Sequence, residues 1–282
     1  MSTPTSTIAE ASPSPPESGP PIIVFDNVSI AFDEKRVLDG ISFQLDKGET
    51  KAIFGVAGAG KSTILKLALG LIKPDRGDIR VLGEDVTAMK EEDLFELRRK
   101  IGMVFQESAL FDSLTVRENV AFRLMEEGKA PNDEIEQRVH EALSFVELER
   151  TVDLFPSELS GGMRRRVAIA RAIITHPEVI LYDSPTGGLD PVTSTTIIEL
   201  IVKQRDVYGT SSLLVTHRLQ DAFVMASHFF DTATGHMWPV RDDPKRKIPM
   251  KFLILREGKI IFDGDVHELA SSRDEYIREY IS

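Results

Sequence analysis

The sequence predicts an α/β fold in which a parallel sheet carries a phosphate-binding loop at one edge. A short apolar segment, Thr50–Phe54, leads directly into the glycine-rich residues 55–63, and a helical pattern follows over residues 62–69. Farther along, Val179–Asp183 and residues 212–216 are apolar segments that alternate with helical patterns. This alternation is typical of domains whose central sheet is parallel.

The composition limits the class of protein. A chain of 282 residues with 41% hydrophobic content can bury a large core. Its apolar runs are shorter than the roughly 18 residues that cross a bilayer, and its first residues do not form a secretion signal, so we expect a cytoplasmic location. The absence of cysteine excludes disulfides and thiolate metal sites. A net charge of −11 argues against broad nucleic-acid binding, so the basic runs at residues 98–100 and 164–166 are expected to be solvated or phosphate-facing.

The first sixty residues are predicted to contain a tail and two strands. Residues 1–20 are rich in Ser, Thr and Pro and are expected to be a disordered tail. Residues 22–32 and 41–45 have strand patterns, with a turn at residues 33–36. Phe32 follows the first strand, where its ring could stack on a nucleotide base. A core phenylalanine explains its position equally well.

Residues 55–63 fit the P-loop spacing, in which a glycine and four residues precede Gly-Lys-Ser. Glycines let backbone N–H groups face a phosphate, the lysine reaches the outer phosphates, and the serine hydroxyl ligates Mg²⁺. The following helix directs its positive end toward the same anion. The alternative is an ordinary glycine-rich turn. The candidate nucleotide ligands are Gly55, Val56, Ala57, Gly58, Ala59, Gly60, Lys61, Ser62 and Thr63.

The middle of the chain is predicted to return to the sheet and then leave it as a helical insertion. A strand over residues 101–105 ends at Gln106, whose carbonyl can ligate a metal or water and whose amide can donate to a phosphate. The helical insertion is expected over about residues 107–165. Other patterns in this part of the chain predict a strand over residues 78–82 and helices over residues 91–100, 113–125 and 133–148.

Three further segments place polar groups where strands or helices end. Leu-Ser-Gly-Gly-Met at residues 159–163 precedes a helix over residues 164–174, and glycines at a helix start expose N–H groups to an anion, although an ordinary cap is possible. Asp183 ends a buried strand on the side where α/β sheets bind ligands, so we expect it to share Mg²⁺ with Ser62. His217 ends the next strand in the same way, with a structural role equally open.

In chain order, these segments resemble the P-loop, Q-loop, signature, Walker B, D-loop and switch histidine of ABC ATPases. The resemblance extends over about residues 22–271 and implies a P-loop NTPase of ABC type, with a RecA-like core, an N-terminal antiparallel β subdomain and a helical insertion subdomain. It implies that ATP and Mg²⁺ are bound between two copies. A homodimer is expected, because the chain carries one motif set. The nucleotide ligands from the signature and the D-loop are then Ser160, Gly161, Gly162 and Asp190.

Two positions depart from the ABC pattern. Ala57 stands where serine is frequent, which is a mild change. Ser184 stands where a glutamate normally polarises the attacking water, and a serine is a poor proton acceptor at neutral pH. Loss of a general base typically costs ~10²–10⁴ in rate, so we expect normal Mg·ATP binding and dimer closure but slow turnover. The catalytic candidates are Ser184, His217 and Gln106, and the metal ligands Ser62, Gln106 and Asp183.

Residues 108–122, together with Met163 in place of the usual glutamine, resemble the ATPases of lipid importers that work with Mce-domain proteins. The implied partners are a second copy, an integral membrane permease and an Mce-domain protein, with no nucleic acid, at the inner face of the cell membrane. A coupling helix of the permease would then contact Ala109, Leu110 and Phe111, unless these residues only pack the helical subdomain.

Two other functions remain open from the sequence: a soluble ABC ATPase without a transport role, such as an assembly scaffold, and an ATP-binding switch with little hydrolysis.

Near the C-terminus, residues 231–250 form an insertion that contains Trp238 and a basic run at residues 245–247. We expect this insertion to form a surface hairpin or loop. A terminal hairpin is predicted to turn at residues 257–259, and residues 273–282 to contain a last helix.

Overall fold

The computed structural model describes residues 19–33, 35–128, 130–242 and 246–281. Most of the predicted N-terminal tail, and part of the basic run at residues 245–247, therefore lie outside the described residues. The strands are β1 (Ile23–Phe32), β2 (Lys35–Leu45), β3 (Thr50–Phe54), β4 (Arg76–Val81), β5 (Glu84–Asp85), β6 (Ile101–Val104), β7 (Val179–Asp183), β8 (Ser211–Val215), β9 (His228–Asp231), β10 (His236–Pro239), β11 (Met250–Arg256) and β12 (Lys259–Gly264).

The α-helices are α1 (Lys61–Ala68), α2 (Glu91–Arg98), α3 (Val116–Glu127), α4 (Asn132–Phe145), α5 (Gly161–Ile173), α6 (Pro191–Tyr208), α7 (Leu219–Ser227), α8 (Val266–Ala270) and α9 (Glu275–Ile281). Short 3₁₀ turns occur at Glu149–Thr151, Pro156–Glu158 and Val240–Asp242. None of the helices in the described part of the chain is both long and apolar enough to span a bilayer.

The main sheet has six strands in the order β12-β11-β3-β8-β7-β6. The five strands from β11 to β6 are parallel, and β12 is an antiparallel edge strand. Residues of β3 and β8 are buried without exception, as expected for strands that are covered on both faces. The predicted α/β fold with a parallel central sheet is confirmed.

A second sheet is antiparallel, with strand order β2-β1-β4-β5. Its hairpin is tighter than predicted, because β2 begins at Lys35 and pairs with Phe32. Lys35 and Arg36 are exposed, so their strand conformation depends on backbone pairing and leaves no hydrophobic pattern in the sequence. The rings of Phe25 and Phe43 stack at 4.7 Å and close the inner face of this sheet.

The two faces of the main sheet are covered by two hydrophobic clusters. Ile53 and Leu213 face the cluster that contains α1 and the antiparallel sheet. Ala52, Phe54 and Leu214 face the opposite cluster, which contains the apolar sides of α3 to α6. Alternate residues of a single strand therefore join both layers.

The helical insertion begins with α3, and its start differs from the prediction. The predicted helix began at residue 113, whereas α3 begins at Val116 with Thr115 as its N-cap. Thr115 and Glu118 form a capping box, in which each side chain accepts from the backbone N–H of the other residue. This reciprocal pair satisfies two otherwise unpaired donors, which explains why the helix starts here.

The inserted segment near the C-terminus contains the antiparallel hairpin of β9 and β10. Trp238 is exposed on this hairpin, and its indole N–H donates to the Thr234 hydroxyl over 2.9 Å. The Arg246 guanidinium lies 4.1 Å from the centre of the Phe229 ring, so this arginine packs against the hairpin.

Candidate nucleotide-binding site

Four parallel strands end side by side at the carboxyl edge of the main sheet. In spatial order, β3 leads into the P-loop, β8 into His217, β7 into Ser184 and β6 into Gln106. The Ser184 N–H donates to the Val215 carbonyl over 2.8 Å, which joins the turns after β7 and β8. A Cβ atom on Gly187 would lie 3.8 Å from Cγ of Gln106, so Gln106 lies beside the turn that follows Ser184. The sheet therefore brings these predicted site residues to one edge.

The P-loop has the backbone geometry that its glycines allow. Gly55 has φ +152°, and a Cβ atom there would lie 2.7 Å from the Leu255 carbonyl oxygen. Gly60 has φ +96°, and a Cβ atom there would lie 2.8 Å from Leu38. Gly60 is also the N-cap of α1 and provides no side-chain cap, so no capping side chain competes with an anion for the first N–H groups of α1.

The Lys61 ammonium folds back onto the loop. It donates to the carbonyls of Gly55 over 2.7 Å and Val56 over 3.0 Å. Burial lowers the pKa of Lys61, and the nearby charge of Asp183 opposes that shift. Charged phosphate oxygens are stronger acceptors than two neutral carbonyls, so the lysine can transfer to a polyphosphate.

The oxygen donors at this edge fit Mg²⁺. Ser62 places an exposed hydroxyl in the first turn of α1, and the half-buried Asp183 ends β7. Gln106 adds an exposed amide oxygen. Mg²⁺ is typically held by one or two protein oxygens together with substrate phosphates and water, so this sparse set suits it when a nucleotide is bound.

Ser184 is only 8% exposed and has φ +47°, a left-handed conformation that is uncommon for a residue with a side chain. Its hydroxyl donates to Oδ1 of Asp183 over 3.4 Å. Position 184 therefore places a neutral donor beside the candidate metal ligand, where the ABC pattern has a carboxylate.

Phe32 and His217 are both exposed. Phe32 exposes 45% of its surface at the end of β1, which excludes the alternative that it packs in the core. Base stacking by Phe32 stays a prediction. His217 lies beyond β8, next to the turn that contains Ser184, and its contact with a γ-phosphate or water also stays a prediction.

The signature residues lie at the start of α5. Ser160 is the N-cap of α5 and accepts from the Met163 N–H over 3.2 Å. A Cβ atom on Gly162 would lie 2.4 Å from the Thr193 side chain, so the start of α5 packs directly on α6. Asp190 caps α6 by accepting from the Thr193 N–H over 3.0 Å. Within the described residues, no hydrogen bond joins Ser160 to the P-loop of the same chain.

Arg165 has a role at the site that the sequence did not indicate. It is 5% exposed, and it donates to the carbonyls of Phe105 over 3.0 Å, Gly187 over 3.3 Å and Ser184 over 3.5 Å. Burial lowers its pKa. The expectation of a solvated or phosphate-facing arginine is therefore wrong here, because three backbone carbonyls from the segments after β6 and β7 surround the guanidinium.

Two other contacts were also missed. The Thr186 hydroxyl donates to Asp221 over 2.5 Å, and Asp221 pairs with Arg218 over 3.3 Å, which links the segments after β7 and β8. The Gly55 N–H donates to the Tyr280 hydroxyl over 3.2 Å. The residues of this last pair are separated by 225 positions, so no local pattern could have predicted it.

A groove of about 600 Å³ lies beside the strand that carries Gln106. Ala109 and Phe111 line it, and the rings of Phe111 and Phe122 lie 4.5 Å apart. Leu110 instead packs against the core of the helical layer. The sequence left open whether this segment packs the helical subdomain or offers a contact surface. In the structure, Leu110 packs, whereas Ala109 and Phe111 lie on the accessible surface of the groove.

Comparisons with known proteins agree with this geometry. The sequence model of a family described as ABC transporter matches residues 38–187. The chloroplast protein TRIGALACTOSYLDIACYLGLYCEROL 3 of Arabidopsis thaliana is 38% identical over 259 residues, which cover 89% of this chain and 70% of that protein. The methionine import ATP-binding protein MetN of Bifidobacterium longum is 39% identical over 256 residues, which cover 88% of this chain and 58% of MetN. The chain thus spans less than two thirds of that MetN.

Among solved structures, the ATP-binding cassette MJ0796, in a dimeric post-hydrolysis state bound to ADP and Pi, matches with a TM-score of 0.72 at 29% identity. The match covers 86% of this chain and 98% of MJ0796. This likeness confirms the predicted fold class of a P-loop NTPase of ABC type.

Proposed function

The chain belongs to the ABC transporter family as an ATPase subunit, and on that premise we propose that it couples ATP binding and hydrolysis to the work of a membrane permease. The observation that carries the proposal is the convergence of the P-loop, His217, Asp183 and Gln106 at one sheet edge. The Gly55–Thr63 loop would hold the phosphates, and Lys61 would neutralise the outer ones.

The active unit in this proposal is a pair of chains. Ser160, Gly161 and Gly162 lie at the start of α5, and the resemblance to ABC ATPases implies that each ATP would receive them from a second copy. The dimeric state of MJ0796 with ADP and Pi supports this arrangement. Asp190 already caps α6, so its part in the dimer would be to hold the start of α6 against the Gly162 contact.

Hydrolysis in this dimer is proposed to be slow. Mg²⁺ would neutralise charge on the transferring phosphoryl group, with Ser62, Asp183 and Gln106 as its protein ligands. Ser184 cannot take a proton from the attacking water at neutral pH, because an alcohol oxygen is a very weak base. His217 and Gln106 would then orient the water, and the rate would depend on positioning and charge neutralisation.

The cargo in this proposal is a lipid, handled with an Mce-type partner. Residues 108–122 and Met163 resemble the ATPases of such importers, and the plant relative carries the name of a galactolipid. Methionine is the second candidate, because several bacterial relatives are named for methionine import. The groove lined by Ala109 and Phe111 would receive the coupling helix of the permease, which would place the chain at the inner face of the membrane.

Copurification from detergent-solubilised membranes tests the permease proposal. We expect the wild type to retain a multi-helix permease and an Mce-domain protein, and mass spectrometry of the complex to detect bound lipid. Phe111→Asp should reduce permease recovery at least tenfold, while Tyr208→Asp, an exposed aromatic outside the groove, should not. A methionine-dependent ATPase would indicate the second cargo.

Other results would favour the remaining alternatives. Recovery with soluble proteins alone would favour an assembly scaffold. A complex that binds ATP but does not turn it over would favour a binding switch. Equal recovery with Phe111→Asp and the wild type would contradict the assignment of the groove.

A further inference from the structure

The C-terminal helix α9 is anchored beside the P-loop by packing. Ile277 is 2% exposed and belongs to the main hydrophobic cluster of the helical face. The Arg256 guanidinium, at the end of β11, lies 4.3 Å from the centre of the Tyr276 ring. The rings of Tyr276 and Tyr280 stack at 6.0 Å. These contacts hold α9 against β11, which is the neighbour of the P-loop strand β3.

The P-loop and α9 meet at Gly55. The Gly55 N–H donates to the Tyr280 hydroxyl over 3.2 Å, while the Gly55 carbonyl accepts from the Lys61 ammonium over 2.7 Å. Gly55 is buried, and a Cβ atom there would collide with the Leu255 carbonyl at 2.7 Å. The first residue of the P-loop is therefore held between β11 and α9, with its donor on Tyr280 and its acceptor on the lysine.

We propose that Tyr280 is a positioning residue of the nucleotide site, which holds the Gly55 backbone in the conformation that receives ATP. The inference rests on the proposed role of residues 55–63 as the ATP cradle. Without the hydroxyl, the buried Gly55 N–H loses its partner, and the loop must rotate to satisfy that donor elsewhere. A loop that is no longer preorganised binds ATP more weakly.

Docking of α9 and binding of ATP must affect each other equally, because coupling between two sites is reciprocal. If docking of α9 raises the affinity for ATP, then ATP must stabilise the docking of α9 by the same factor. When Lys61 transfers from the Gly55 carbonyl to ATP phosphates, the contact with the Tyr280 hydroxyl is the side-chain hydrogen bond that Gly55 keeps among the described residues. ATP binding is therefore expected to slow amide exchange in α9.

Calorimetric titration of the full chain with Mg·ATP tests the inference. We expect Tyr280→Phe to weaken binding about two- to tenfold, the range for loss of one hydrogen bond. Tyr276→Phe is the matched control, since it removes a hydroxyl from the same helix and keeps the ring that stacks on Arg256. Its affinity should equal that of the wild type.

Hydrogen exchange of Glu275–Ile281 gives the second readout. Mg·ATP should slow exchange there in the wild type, and the effect should shrink in Tyr280→Phe. The proposal is overturned if Tyr280→Phe binds ATP as tightly as the wild type does. It is also overturned if Mg·ATP does not change the rate of amide exchange in α9 of the wild type. Failure of the wild type to bind Mg·ATP, or wild-type affinity in Lys61→Ala, would instead refute the proposed ATP site.

Discussion

The Ser184 hydroxyl donates to Oδ1 of Asp183 over 3.4 Å, so a neutral hydroxyl lies beside the candidate metal ligand at the position where the ABC pattern has a glutamate. The peptide N–H of Ser184 is also committed, since it donates to the Val215 carbonyl over 2.8 Å. Both contacts hold Ser184 in the turn. They are compatible with Mg²⁺ binding but provide no general base.

Restoration of a carboxylate at position 184 should therefore accelerate hydrolysis. We expect Ser184→Glu to raise steady-state phosphate release by about 10²–10⁴, the usual contribution of a general base. Ser184→Gln is the matched control, because it has nearly the same volume but accepts no proton, and it should give no comparable increase. Equal turnover of wild type and Ser184→Glu in the assembled complex would mean that another group already serves as the base.

Lys61→Met should separate nucleotide binding from stability. The pKa of Lys61 is lowered by burial, so its protonated form costs the folded state free energy at neutral pH, and that cost fades as pH rises toward the unfolded value of about 10.4. Relief of this cost opposes the loss of the two hydrogen bonds to the Gly55 and Val56 carbonyls, so the variant should melt close to the wild type near pH 7, yet lose Mg·ATP binding in calorimetry. Micromolar affinity in the variant would contradict the P-loop assignment.

Arg165→Met should destabilise the site edge more than the neighbouring substitution Arg166→Met. Arg165 donates to three carbonyls of the site, whereas Arg166 donates to one, that of Val146, over 3.0 Å. Each buried carbonyl left unpaired costs roughly 1–3 kcal/mol. Urea unfolding should give the larger loss of unfolding free energy for Arg165→Met, and an equal loss in both variants would show that the three contacts contribute little.

The fold could be predicted where burial imposed a pattern on the sequence. The bounds of Thr50–Phe54 and Val179–Asp183 agree with prediction, because strands covered on both faces are continuous apolar runs. The start of β2 was missed because Lys35 and Arg36 are exposed and join the sheet through backbone pairing with β1. The start of α3 could have been found, since Thr115 and Glu118 have the capping-box spacing.

In the candidate site, too, some residues could be predicted from the sequence and others could not. Lys61, Asp183 and His217 were predicted because each follows a strand or begins a helix in a recognisable local pattern. Arg165 and Tyr280 were not, because their partners are backbone atoms that only the folded chain brings near. A side chain that bonds to distant carbonyls or amides leaves no pattern in the sequence.

Tyr182→Phe should stabilise the protein. The Tyr182 hydroxyl is buried without a hydrogen-bond partner among the described residues, and burial raises the pKa of Tyr182. Its removal relieves a desolvation cost of about 1–3 kcal/mol. Because the folded-state pKa is raised, the wild type should lose stability as pH passes the unfolded value of about 10, and the variant should not show this part of the loss. Thermal unfolding near pH 7 and near pH 11, about one unit above the unfolded pKa, measures both effects. A lower melting temperature for Tyr182→Phe at pH 7 would indicate that the hydroxyl has a partner.

Lys51→Met should cost about 3–5 kcal/mol of unfolding free energy at neutral pH, the usual result of removing one member of a buried ion pair. Lys51 is 1% exposed, and its ammonium lies 2.7 Å from Oδ1 of Asp263 and 3.8 Å from Oε1 of the buried Glu49.

The effect of Lys51→Met should depend on pH through Glu49. Burial raises the pKa of Glu49, while hydrogen bonding to Lys251 and the charge of Lys51 lower it. Without Lys51, the ionised form of Glu49 becomes still less favourable, so acidification that protonates Glu49 should narrow the difference in unfolding free energy between variant and wild type. Lys259→Met is the matched control, because Lys259 pairs with Asp39 over 3.6 Å at the surface and should contribute less than about 1 kcal/mol. Urea unfolding of both variants at neutral and acidic pH measures these differences, and an equal loss in the two variants at pH 7 would show that the charge of Lys51 is not needed inside the fold.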